Sequence, residues 1–424
     1  MSANSIAASP GALQKKTRVS TVELWRYVFT LLVCWYHFEF TAGGLRQTLF
    51  TSGSSAVEFF FIIAGFTLAM SAYRKTAKNG AFPTREAAGS ALDFVKKKLL
   101  AILPLLVVII FAWALFQVPA AAGHGALYTK LRTLLNTEWV FTFLIGTPFG
   151  LNYNDPTVPM WFLTCLLAIG YIFTFLVHRF PDFMRFFAPI GAVLVYSYFA
   201  LAMPGGYGGA GGTFNTLEFA SLMGYMNAGM VKAVAEVCMG ISVYFIYERL
   251  ENVNFSAFWR VILTLLEAYA IYRFFALTLK QPIGVDNSRR LIYIMIIILT
   301  SFLNAGFLSR ALNAKPLRPV WTYLGKISLA MYLGHYVMVH PYTSLVAYLK
   351  DKGVGFAQSM TDGRGGGFLF GGGATNGLMS AKDMIFFGLF MTAYAALVFG
   401  IVRAWTRFVF RPLRKFNNLL RGNA

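Results

Sequence analysis

Residues 25–37 read WRYVFTLLVCWYH, an apolar and aromatic helix pattern with Arg26 near one end and His37 at the other. Eleven positions are close to three helical turns, so the two side chains leave one face, roughly 16 Å apart along the axis. A soluble helix has no reason to set a cation and an imidazole on so apolar a face. Within a bilayer such residues are costly, about 3 kcal/mol for a central Arg on insertion scales. They are retained where they face a protein interior or a wet cavity and serve a reaction or a pathway. The stretch therefore points to membrane-embedded chemistry or transport.

Composition agrees. Hydrophobic residues make up 57% of the 424-residue chain, aromatic residues 17% and charged residues only 13%, which excludes an ordinary soluble globule. The net charge of +20 does not signal nucleic acid, because the basic residues are scattered between apolar runs as topology requires and are not gathered on one domain. Cys34, Cys165 and Cys238 lie in apolar stretches without paired spacing and read as buried small hydrophobes.

Ten stretches are long enough to cross about 30 Å of hydrocarbon: 22–40, 55–73, 99–118, 159–178, 186–203, 229–247, 258–279, 290–309, 321–347 and 384–408. The expected fold is an all-α, polytopic membrane helical bundle, with a short apolar piece at 138–149 as a re-entrant or interfacial helix. An even number of spans puts both termini on one side. With the N-terminus cytoplasmic, about 24 basic residues fall on that face, among them Lys15, Lys16, Arg18 and Arg403, against about 11 on the other, so both termini are expected in the cytoplasm. The domain reading is a tail at 1–21, a membrane domain at 22–408 and a basic tail at 409–424. In this orientation Arg26 lies near the cytoplasmic end of the first span and His37 in its outer half.

Other charged groups surround the pair. Glu23 precedes Arg26 by three positions, the spacing of an ion pair on one helix. Glu39 follows His37, and Glu58 opens the second span in SSAVEFFFIIAGF. An acid beside a buried imidazole would fix its tautomer and orient it as a general base. Plain readings stand beside these: Arg26 as a snorkelling interfacial cation, His37 as a helix-packing hydrogen bonder, Glu58 as a water-facing interfacial residue.

These residues resemble the integral-membrane acyltransferase family 3. The first span of that family carries an acid, a cation and then a His after ten intervening residues, here Glu23, Arg26 and His37. Its second span has an acid, two Phe and a Ser-Gly-Phe ending, here Glu58, Phe60, Phe61 and Ala64-Gly65-Phe66. Lys96-Lys97-Lys98 running on to Pro104 is similar to its basic run before the third span, Met160-Trp161-Phe162-Leu163 to its Trp-rich fourth span, and Gly325, Ser328, Tyr332 and His335 to its late signature. The departures are Ala64 for the family Ser and Ala56 for a family Gly.

The resemblance implies an O-acyltransferase that moves an acetyl or similar short acyl group from acyl-CoA to a hydroxyl of a surface or lipid-linked glycan. It would work as a multi-pass protein of the cell membrane, of the bacterial inner-membrane kind. Acyl-CoA is then donor substrate and partner, and no tightly bound cofactor, metal or nucleic acid is expected. The implied catalytic residues are His37, as general base, with Arg26 and Glu58. Arg26, Lys96, Lys97 and Lys98 would hold the donor, with anionic lipid an equal reading for the lysines. Glu23, Trp161, Tyr332 and His335 would contact substrate or support the site, and His340 is read as structural.

Gly206–Gly211 formally matches a dinucleotide pattern but lacks a βαβ setting. It and Gly363–Gly377 are read as outer loops that admit a glycan. His124 and His178 lack ligand spacing. A transporter or flippase using Arg26, His37 and Glu58 as a relay is the alternative; the first-span pattern has no internal copy, which counts against it.

Overall fold

The computed structural model describes residues 19–42, 53–116, 161–202, 221–222, 226–280, 287–360 and 381–410. The piece at 138–149, both glycine-rich segments, His124, Met160, Lys15, Lys16 and Arg18 lie outside them, as does the side chain of Glu39. The described chain is almost wholly helical: α1 (Ser20–Ala42), α2 (Ala56–Asn79), α3 (Thr84–Phe116), α4 (Trp161–Arg179), α5 (Pro181–Ala202), α6 (Ala228–Leu250), α7 (Ala257–Lys280), α8 (Asn287–Leu303), the short α9 (Phe307–Leu312), α10 (Arg318–Asp351) and α11 (Ala381–Trp405). The exception is a two-residue antiparallel pairing, β1 (Ser221–Leu222) with β2 (Met226–Asn227).

Each of the ten expected stretches falls on one of the ten long helices, with two differences. α3 begins at Thr84, so Lys96, Lys97 and Lys98 lie inside a helix and not in the approach to one. The stretch at 290–309 is broken: α8 ends at Leu303, Asn304 takes a positive φ of 50° and α9 follows Gly306. A left-handed Asn cannot continue an α-helix, whatever the apolarity beyond it.

Five helices are long and apolar enough to cross a membrane among the described residues: α2, α4, α6, α7 and α11. They fall into two classes. In α2, α4 and α6, 72% of the apolar window is buried in the protein; in α7 and α11 only 28% is. The outward faces carry large apolar side chains, such as Phe186, Leu265, Tyr272, Leu389 and Leu397. Several charged groups, by contrast, lie inside: Glu23, Glu58, Lys232, Glu236, Glu267 and Arg290 are all buried. An apolar exterior around an ionisable interior is the pattern of a protein dissolved in lipid.

Contacts at two points along each helix pair reveal its direction. α1 and α10 run parallel, Glu23 against Gly325 and His37 against His335. α2 and α6 run parallel from Glu58–Lys232 to Arg74–Glu251. α3 and α4 are antiparallel, with Thr84 on Arg179 and Phe94 on Gly170. So are α10 and α11, through Gly334–Tyr394 and Tyr342–Asp383, and α1 and α11, through Tyr27–Thr392 and Trp35–Met384. In these five pairs, helices an even number of places apart in the order of the long helices run parallel and those an odd number apart run antiparallel.

The two parallel pairs form the centre. α2 and α6 touch backbone to backbone at glycines: a Cβ on Gly65 would lie 2.2 Å from the Val237 carbonyl oxygen, and one on Gly240 would lie 1.9 Å from that of Ile62. Small residues permit this approach in a bundle where lipid supplies no hydrophobic drive. The start of α1 is tied down as well. Ser20 donates to the Asn313 side chain and Thr21 to the Ser309 carbonyl. α9 in turn rests on α7, with Thr264 and Glu267 accepting the backbone N–H groups of Phe307 and Ser309.

Candidate active site

Arg26 and Glu23 form the expected ion pair at 3.5 Å. Gly325 explains why the carboxylate can be there: a Cβ at that position would stand 2.2 Å from the Glu23 Oε2 and 3.0 Å from its Cα. One turn along α1, Thr30 donates to the Arg26 carbonyl at 2.8 Å, and on α10 Ser328 donates to the Gly325 carbonyl at 2.8 Å. Both hydroxyls thereby donate within their own helices.

Gly325→Ala should therefore push Glu23 off Arg26. Overpacking of this kind costs about 1–3 kcal/mol, seen as a lower melting temperature in detergent. A variant with wild-type melting would show that the close approach is dispensable.

A cavity of about 360 Å³ lies between α1, α2, α3, α4, α10 and α11. Arg26, Lys98 and Lys326 line it at one end, and Phe60, Phe162 and Tyr332 at the other. Of the basic run on α3 only Lys98 reaches it; Lys96 and Lys97 are exposed and absent from its walls. The reason is rotational: neighbours on a helix diverge by about 100°, so three consecutive lysines cannot share a face. Lys326 was not singled out from the sequence, although it stands inside the GKIS segment beside Gly325.

Beyond the rings, along the same faces of α1 and α10, His37 meets His335 with ring centroids 4.8 Å apart. Tyr332 touches His335 at 5.6 Å, and Tyr336 flanks His37 at 6.2 Å. Neither histidine lines the cavity. His335 is fully buried, and its Nδ1 is bonded to the Tyr332 carbonyl. A carbonyl only accepts, so Nδ1 carries the hydrogen and Nε2 keeps its lone pair. That Nε2 has no hydrogen-bond partner among the described residues.

The description of acyltransferase family 3, an acyltransferase domain, matches the chain over residues 19–402. The chain belongs to that family. No curated protein and no solved structure matches it. Within one bundle this membrane acyltransferase has a cavity lined by cations and, beyond its aromatic rings, a histidine pair.

The remaining expected residues are placed as follows. Trp161 is buried and packs on Phe61 and Phe162 at 6.1 and 6.4 Å, within the ring cluster. Glu58 is fully buried and meets Lys232 at 2.7 Å, while Lys232 also faces Glu236 at 3.6 Å. This buried trio was not legible: Lys232 and Glu236 sit in an otherwise unremarked apolar stretch, and only their i, i+4 spacing hinted at a pair. Cys34, Cys165 and Cys238 are buried free thiols.

Proposed function

We propose that this membrane acyltransferase carries an acetyl or similar short acyl group from acyl-CoA, bound from the cytoplasmic side, to a hydroxyl of a glycan or lipid-linked sugar presented from outside. The directions of the five helix pairs, each the one that alternate crossings would give, support a ten-span topology. The excess of Lys and Arg at the Arg26 end supports cytoplasmic termini.

The observation that carries the reading is the linear order of parts: three cations, a cavity capped by aromatic rings, then two imidazoles. Arg26 and Lys98, with Lys326 at the mouth, suit the phosphates of coenzyme A, Arg as a planar fork and Lys as a point charge. The rise of about 16 Å from Arg26 to His37 suits a long flexible arm, as pantetheine is, with its thioester at the far end. His37 takes the proton of the acceptor hydroxyl as oxygen attacks the thioester carbon. The C–S bond breaks as the ester C–O bond forms, and the proton passes to the departing sulfur. Glu23 holds Arg26 in place. Glu58 acts at one remove, fixing α2 against α6 through Lys232.

Membrane vesicles of known sidedness test this. Labelled acetyl-CoA offered at the cytoplasmic face should label glycan, and offered at the other face should not. Arg26→Ala should weaken donor use by about 10- to 100-fold, the scale of a lost hydrogen-bonded charge. Labelling from the outer face alone would reverse the orientation, and an unaltered Arg26→Ala rate would remove Arg26 from the donor site.

A further inference from the structure

Three rings close the far end of the cavity. Phe60 from α2, Phe162 from α4 and Tyr332 from α10 meet pairwise, with centroid separations of 5.9, 6.3 and 5.7 Å for Phe60–Phe162, Phe60–Tyr332 and Phe162–Tyr332. All three line the cavity, and Phe162 and Tyr332 are buried at 4% and 5% exposure. Such separations are those of packed aromatic rings, so no open passage runs between them. On their other side lies the histidine pair, which Tyr332 touches through His335.

The depth of this barrier follows from helix geometry. On α10 the lining runs from Gly325 to Tyr332, and on α2 from Thr67 to Phe60. Each is a climb of seven residues, about 10 Å. Two independent helices thus place the rings at one height above the cations. A donor anchored by its phosphates at Arg26, Lys98 and Lys326 has its register fixed from below, so its acyl end meets the rings at a set height.

We propose that Phe60, Phe162 and Tyr332 form a constriction that the acyl end of the donor must part to reach His37 and His335, and that this constriction selects short acyl groups. The inference rests on the acyl-CoA reading above. Parting packed rings that belong to three helices becomes harder with every added methylene, because a dense core yields little. The same closure keeps cytoplasmic water from the histidine pair until the rings part. Residues at the cationic end bind the part of the donor that all acyl-CoAs share, so they do not discriminate.

The test uses the full-length protein in detergent or nanodiscs with acetyl-, propionyl-, butyryl- and hexanoyl-CoA. In the wild type kcat/KM should fall about tenfold or more between acetyl and hexanoyl, since pocket discrimination per methylene begins at that scale. Phe60→Ala and Phe162→Ala should raise the hexanoyl-to-acetyl ratio by about tenfold, and Phe162→Leu, which keeps a packed side chain, by less. Leu397→Ala, on the exposed face of α11, should leave the ratio unmoved. A wild type indifferent to chain length, or folded Ala variants whose ratio stays within about twofold of it, overturns the constriction while the donor reading stands. Failure of the wild type to use any acyl-CoA removes the donor reading, and the inference with it.

Discussion

His37→Gln is expected to reduce glycan acylation by about 100-fold or more, the usual scale for a lost general base, while the protein still inserts and folds. Glutamine keeps a polar hydrogen-bonding group on α1 but cannot accept and return a proton. The structure adds a second arm to this experiment, because His37 does not stand alone: the His335 ring is 4.8 Å away, with its Nε2 lone pair unengaged among the described residues. If the two imidazoles act as one proton-handling unit, His335→Gln should also be strongly impaired, and the double variant should be little worse than the poorer single one, as residues acting together are not additive. Mass analysis of surface glycans and a purified transfer assay both report the loss. Wild-type acylation in a well-expressed His37→Gln protein would return the residue to a packing role. If glycans kept their acyl groups while movement of a solute failed, a transporter would replace the enzyme.

Lys232→Met is expected to produce the largest loss of stability, about 3–5 kcal/mol, the scale for removing one partner of a buried ion pair. It would leave Glu58 and Glu236, both fully buried, facing each other without the ammonium that now lies 2.7 and 3.6 Å from them. A steep fall in detergent melting temperature and in yield should follow. Replacing the whole group, as Glu58→Gln, Glu236→Gln and Lys232→Met together, should recover much of that loss, because uncharged groups need no counter-ion. Glu58→Gln alone should be milder than Lys232→Met, since Lys232 retains Glu236. Should Lys232→Met melt like the wild type and lose only its rate, the trio belongs to the chemistry, and Glu58 regains the catalytic role its place in the second span first suggested.

Much of the site was legible along the chain, but unevenly. Glu23 and Arg26 were paired correctly because an i, i+3 contact is decided within one helical turn. The ten expected stretches fall on helices because an apolar run is a local property, and five of the described helices are long and apolar enough to cross a membrane. The break at Asn304 was missed because hydropathy averages over a backbone conformation that a single residue imposes. The basic run on α3 was read as one unit, although helical rotation lets only Lys98 reach the cavity. Glu58 was seen without its partner, since Lys232 is 174 residues away.

What this sequence determined by itself is the membrane helical class and one wall of the site: Glu23, Arg26 and His37 in order along a single face of α1. Those properties depend only on apolarity, length and the 3.6-residue repeat, which are written in consecutive residues. The tertiary structure alone decided that His335 stands against His37, that Gly325 makes room for Glu23, that Lys326 joins Arg26 and Lys98, and that three rings from three helices close the space between cations and imidazoles. Each of these is a meeting of helices distant in sequence. In lipid such meetings are settled by close packing and by the pairing of buried polar groups, not by a hydrophobic pattern that any one helix carries.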